Sequence, residues 1–309
     1  MTVEFTVAAA RCRALARSPL TRAYAKRAFT RLLASMDPPP IIDGEVAGLP
    51  VRLDLSQGWD RKIFLHGLGD SRAVLAMVRI MKALDCRTAW DVGANRGNHS
   101  AAMVPHCRCL FAFEPDPNQQ PRLAALLAGA PTATAVAMGL SDQPGELPFR
   151  VHRPGQSATF EAREGPPDAV APVCSGDVFA RENGVTDLDF VKIDVEGHEP
   201  RVLRGMADIL RTQRPVIVVE VLASQAAGRP SGWLGELLPD YALFGNYQGL
   251  ASRISMSACH FGPFREGRTY THALAVPVEK LGRLAGIVPA GVIAGARGRQ
   301  PIRPSSGPG

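Results

Sequence analysis

The chain has 309 residues, of which 46% are hydrophobic and 21% charged. That is enough apolar material for a sizeable core, and it excludes a disordered chain. The absence of any short period excludes collagen-like and coiled-coil architectures. The net charge of +6 points to an acidic polymer only until it is divided along the chain. Residues 1–36 hold seven Lys and Arg against one acid, Glu4, and residues 281–309 hold four Arg and no acid. The body between them holds 24 basic and 28 acidic side chains, so the basicity belongs to the ends. With aromatics at 6% and an acidic body, no nucleic-acid partner is expected.

The six cysteines form no CxxC pair, so neither a zinc ribbon nor a small disulfide scaffold is indicated. Arg11, Arg13 and Arg17 interrupt any leader-like apolar run, and no stretch approaches the ~18 apolar residues of a membrane-spanning helix. A cytoplasmic protein is expected.

Three regions follow in chain order. Residues 1–69 read as a basic helix over 7–35, broken by Pro38–Pro40, and a hairpin in "IIDGEVAGLPVRLDL". The basic helix either packs on the main domain with a solvated face or rests on anionic lipid as a peripheral membrane contact. Residues 70–280 alternate helices and strands, starting from a helix capped at Asp70 or Ser71. "TAWDV", "CLFAFEP", "TATAVAMGLSD", "LDFVKIDVEG" and "PVIVVEV" read as strands, several of them apolar without period-two alternation. Such strands are buried on both faces, which predicts an α/β fold with a parallel sheet covered by helices on each side. The stretch "PGELPFRVHRPGQSATFEAREGPPDAVAPV" reads as a hairpin plus an exposed loop, and residues 281–309 as a flexible basic tail.

Three motifs carry chemistry. "DVGANRGNHS" follows a strand and opens a helix, and Gly93 and Gly97 permit a sharp turn and close approach of the backbone to a ligand. It lacks the GxGxxG of a pyrophosphate site and the GK[ST] of a phosphate loop, so an adenosine-bearing ligand without pyrophosphate fits better. Glu114 ends the next strand 21 residues after Gly93, where a carboxylate can accept both ribose hydroxyls. The third is "KIDVEGHE", which crowds Asp194, Glu196, His198 and Glu199 at the carboxyl edge of the sheet. Asp194 is placed to face the reacting group. His198 titrates near neutrality and is the other candidate base. Glu199 and Pro200 also suit the first turn of the following helix.

Together, "DVGANRG", "FEP", "LSD" and "DFVKIDVEGHE…VLRGM" resemble the FkbM family of S-adenosylmethionine-dependent methyltransferases over roughly residues 87–222. The resemblance implies a doubly wound, Rossmann-like sheet of seven strands and methyl transfer to a hydroxyl of a sugar, glycolipid, polyketide or related small molecule. It implies that Asp91, Gly93, Asn95 and Gly97 border the cofactor, that Glu114 holds its ribose, and that Asp142 lies near the adenine. Asp194, Glu196 and His198 are the candidate catalytic residues. Asp194, Glu196 and Glu199 form an alternative set for a divalent cation such as Mg²⁺. Two other readings stay open: transfer to another nucleophile, and a non-catalytic cofactor-binding scaffold tethered through its basic N-terminal helix.

Overall fold

The computed structural model describes residues 3–18, 20–67, 71–151, 158–160, 166–221, 231–247, 261–264 and 270–288. The N-terminal region forms two helices rather than one, α1 (Val3–Ala16) and α2 (Arg22–Ala34). The expected hairpin follows as β1 (Ile41–Val46) and β2 (Leu49–Asp54), and then a helix, α3 (Gly58–His66). Phe5, Cys12, Phe29, Leu33 and Leu55 bury one face of this layer and share a core with Ala101 and Leu126 of the main domain. Their burial supplies the packing that a short basic helix lacks on its own. Arg11, Arg17, Lys26, Arg27 and Arg31 stay exposed on the opposite side.

The main domain runs α4 (Ser71–Leu84), β3 (Thr88–Val92), α5 (Asn98–Met103), β4 (Cys109–Phe113), α6 (Gln120–Leu127) and β5 (Ala133–Val136). It continues with β6 (Gly139–Ser141), β7 (Gly145–Val151), β8 (Ala158–Thr159), β9 (Ala169–Ser175), α7 (Gly176–Glu182) and β10 (Leu188–Ile193). It ends with α8 (Glu199–Arg204), α9 (Ala207–Thr212), β11 (Val216–Glu220), α10 (Ser231–Leu237), β12 (Tyr241–Tyr247), β13 (Phe261–Gly262) and β14 (Tyr270–Pro277). The main sheet has the order β13-β12-β14-β11-β10-β3-β4-β5. Strands β11, β10, β3, β4 and β5 pair in parallel, and β14 ("YTHALAVP") runs antiparallel to both β11 and β12.

Both faces of this sheet are buried. Trp90, Val92, Val191, Ile193 and Ile217 enter one core, while Ala89, Phe190, Val216 and Val218 enter the other. Alternate residues of a strand point to opposite faces, so a strand covered on both sides is apolar on both, apart from partnered charges such as Asp91 and Lys192. That is the physical content of the unbroken runs in the sequence.

Four expectations need correction. The main sheet has eight strands among the described residues, because the two-residue β13 adds an edge to the seven expected. The single third strand is two: β5 joins the main sheet, and β6 joins a second sheet of order β6-β9-β7-β8. The helix that Glu199 and Pro200 open ends at Arg204, and a second begins at Ala207; between them a Cβ on Gly205 would lie 1.9 Å from the Ser141 carbonyl oxygen. The tail begins later than residue 281, since Leu281, Leu284 and Val288 are buried against the sheet. The expected cap at Asp70, the loop over 161–165 and the tail beyond 288 lie outside the described residues.

Candidate functional site

The loops after β3, β4 and β10 meet at the carboxyl edge of the sheet, where open α/β sheets bind ligands. The turn after β3 uses left-handed backbone at Gly93 (φ 78°), Asn95 (φ 51°) and Gly97 (φ 85°). The two glycines serve close packing within the protein. A Cβ on Gly93 would lie 1.9 Å from the Asp194 carbonyl oxygen, and one on Gly97 would lie 2.8 Å from Leu123 and Leu126 side-chain carbons. Gly93 therefore lets the turn after β3 touch the loop after β10.

Beneath this contact lies a buried charge network. Asp91 is fully enclosed; Ser100 donates to it at 2.6 Å, and it pairs with Lys192 Nζ at 3.0 Å. Lys192 also donates to the Gly93 carbonyl at 2.9 Å and reaches Asp194 at 3.5 Å. Asp91 thus holds the turn from below, and its side chain is spent on Lys192 and Ser100. Lys192 remains charged despite burial because the Asp91 and Asp194 carboxylates outweigh the loss of solvent.

Glu114 ends β4. The backbone amides of Asn95 and Asp116 donate to its two oxygens at 2.7 and 2.8 Å. Burial pushes its carboxyl up to about 7, against the opposing pull of those amides. Each oxygen keeps a further acceptor position, so the group can take a pair of ribose hydroxyls.

The acids after β10 separate into distinct roles. Asp194 is partly exposed, with side-chain accessibility of 26%. The parallel register sets Ile193 beside Val219, which brings Asp194 next to Glu220 at the end of β11. The two carboxyl groups share a hydrogen bond. Burial and the Asp194 charge push the Glu220 carboxyl far up. Although burial opposes it, the Lys192 ammonium and the Glu220 hydrogen bond hold Asp194 well below its ordinary range. Glu220 Oε2 is enclosed without a hydrogen-bond partner among the described residues.

Asp194, Glu196 and Glu220 each offer an oxygen within 4.8 Å of the others. These are the groups that could hold a divalent cation, and Glu199 is not among them. Glu199 is fully buried and accepts the Val195 and Gly197 amides at 3.2 and 3.1 Å, closing the loop before α8. His198 is 2% exposed, faces Ser141 Oγ through Nε2 at 3.0 Å and lies 5.3 Å from the Phe160 ring centre. It ties the start of α8 to β6. Asp142 accepts from Ser141 at 3.1 Å and pairs with Arg201 at 3.3 Å.

Sequence reasoning missed Glu220, Lys192, His99, His272 and Arg96. The signal for Glu220 was a carboxylate closing the apolar strand "PVIVVEV". His272 is its register partner on β14. His99 lies near Asp91, Asp194 and Lys192, and burial lowers its basicity. Arg96 is buried against Asp60 of α3 at 2.8 Å and donates to Gln119 at 3.1 Å.

A parallel sheet with a glycine turn, a glutamate closing the second strand and an acid cluster at one edge has the arrangement at which open α/β sheets bind ligands. The Methyltransferase FkbM domain model matches residues 91–232 of this chain. The hexuronic acid methyltransferase AglP of Haloferax volcanii is 33% identical over 153 residues. That match spans 48% of this chain and 63% of the relative, which is less than two thirds of its length. Among solved structures, an FkbM methyltransferase from Methylobacillus flagellatus is 14% identical with a TM-score of 0.42, over 70% of this chain and 52% of that one. Aeropyrum pernix fibrillarin with natively bound S-adenosyl-L-methionine is 10% identical with a TM-score of 0.36, over 66% of this chain and 75% of that one. No helix of the described residues is long and apolar enough to cross a membrane.

Proposed function

We propose that this chain transfers a methyl group from S-adenosylmethionine to a hydroxyl oxygen of a sugar, glycolipid or related small molecule. The observation that carries the reading is the contact between the cofactor turn and the acid cluster, where Gly93 abuts the Asp194 carbonyl too closely for any Cβ. Cofactor and acceptor would then meet over one strand junction, and holding two reactants in register is worth a large effective molarity. The match to the FkbM family and the similarity to a sugar-acid methyltransferase support the choice of reaction and acceptor class.

When bound, the cofactor supplies an electrophilic sulfonium methyl. Glu114 takes its ribose hydroxyls, and the turn over Gly93, Asn95 and Gly97 lies beside its amino-acid part. Asp142, at the end of β6, is the residue assigned to the adenine side. Asp194 accepts the hydrogen of the acceptor hydroxyl and aims an oxygen lone pair at the methyl group. Because Lys192 keeps Asp194 ionised but weakly basic, Asp194 would take the hydroxyl proton late, as the acceptor oxygen gains the methyl group, the C–S bond breaks and a neutral thioether leaves. Glu220 holds its own proton against Asp194 and fixes the carboxylate's orientation. His198, closed in by Ser141 and Phe160, shapes the loop and leaves proton transfer to Asp194. Glu196 lines the same loop from a left-handed residue (φ 55°).

The test is calorimetric binding of S-adenosylmethionine, followed by mass-spectrometric detection of methyl transfer to uronic acids and neutral sugars. Absence of cofactor binding by the wild-type protein refutes the proposal. Binding without transfer to any hydroxyl acceptor favours the scaffold reading.

A further inference from the structure

The N-terminal layer carries a surface that the proposed reaction does not use. Around the turn between α1 and α2, Leu20 is 94% exposed, Tyr24 65% and Leu15 38%. Leu20, Tyr24, Arg27 and Arg31 fall on one side of the chain at spacings of four, three and four residues. This side lies opposite Ala25, Phe29 and Leu33, which pack inward. Arg17, Arg27 and Arg31 are exposed, and no Asp or Glu occurs from residue 5 to residue 36. An apolar tip ringed by cations and free of acids is unusual on a solvated face, where large apolar side chains occur singly.

We propose that this corner of α1 and α2 docks the protein on an anionic phospholipid surface. The chemistry matches part for part. Leu20, Tyr24 and Leu15 can enter the interface between headgroups and acyl chains, with the Tyr hydroxyl left at headgroup level. Arg17, Arg27 and Arg31 can meet the phosphates, each worth about fivefold in affinity near an anionic leaflet. A nucleic-acid backbone would use the cations and leave the apolar tip in water, so lipid accounts for more of the surface. The docked layer is also joined to the site: Asp60 of α3 grips Arg96 of the cofactor turn at 2.8 Å within a buried pair. Docking would therefore hold the catalytic edge at a set orientation to the membrane, where an acceptor with a lipid tail is presented. The surface itself does not depend on the proposed reaction.

The experiment is co-sedimentation of the full chain with vesicles of phosphatidylcholine alone and of equal parts phosphatidylcholine and phosphatidylglycerol. Binding is expected only to the anionic vesicles, and to weaken as salt rises. Leu20→Glu with Tyr24→Glu is expected to weaken it by about tenfold or more, as is Arg27→Glu with Arg31→Glu. These residues are exposed, and unchanged circular dichroism and melting temperature show that the variants are folded. Three results overturn the proposal: no binding to anionic vesicles, wild-type binding by the Leu20→Glu/Tyr24→Glu protein, or a dimer in sedimentation velocity that this double substitution dissolves. The last would assign the patch to self-association. A wild type that binds vesicles but not the cofactor would leave docking intact and refute the proposed reaction instead.

Discussion

If Glu114 holds the ribose, proton and cofactor compete for one carboxylate. Burial has raised this group to about 7, and hydroxyl donors bind its ionised form. Its ionised fraction falls from about nine-tenths near pH 8 to about one-tenth near pH 6, so the cofactor's Kd rises about tenfold over that interval. The linkage to stability has the opposite sign. A raised folded-state pKa stabilises the free protein fully below the carboxyl's ordinary value near 4.5, and this contribution fades as pH rises through about 7. The increase in Tm on adding cofactor should therefore be larger near pH 8 than near pH 6. Calorimetry and thermal scans across the interval read both effects. Glu114→Gln, which cannot ionise, should bind weakly at every pH with no slope. A pH-independent Kd in the wild type, or the same slope in the Gln variant, would refute the assignment of Glu114.

Further outcomes follow from the same geometry. Asp194→Asn should lower turnover by about 10²–10⁴-fold with cofactor binding unchanged, whereas Glu220→Gln, which keeps a donor toward Asp194, should lose about tenfold or less in steady-state assays. Activity should survive EDTA, because Lys192 and the Glu220 proton already balance the carboxylates; a loss restored by Mg²⁺ would show a cation bridging Asp194 and Glu220. Gly93→Ala should destabilise the fold by about 3 kcal/mol or more in urea denaturation, since its Cβ meets the Asp194 carbonyl at 1.9 Å from a left-handed backbone. Asp60→Ala should cost about 3–5 kcal/mol by removing the carboxylate that balances the buried Arg96 charge, and the Asp60→Ala/Arg96→Leu pair should recover part of that loss.

What the sequence alone determined is what local chemistry dictates. Unbroken apolar runs announced strands covered on both faces, glycines at 93 and 97 announced a left-handed turn, and the spacing to Glu114 announced the second strand's end. The acids after β10 were legible as a group because they are neighbours in the chain. Their division of labour was not. Glu199 turned inward to two loop amides, and His198 turned to Ser141, since α8 packs against β6 of a second sheet that no local pattern foretold. Glu220 joined Asp194 through strand register across 26 residues, and Lys192 was drawn between two carboxylates from different strands. The glycines were expected to admit a ligand, yet each first admits another part of the protein. Periodicity and turn chemistry act over a few residues and survive in the sequence as pattern. Which carboxylate keeps its charge depends on burial and on partners brought from distant strands, and only tertiary packing decides those.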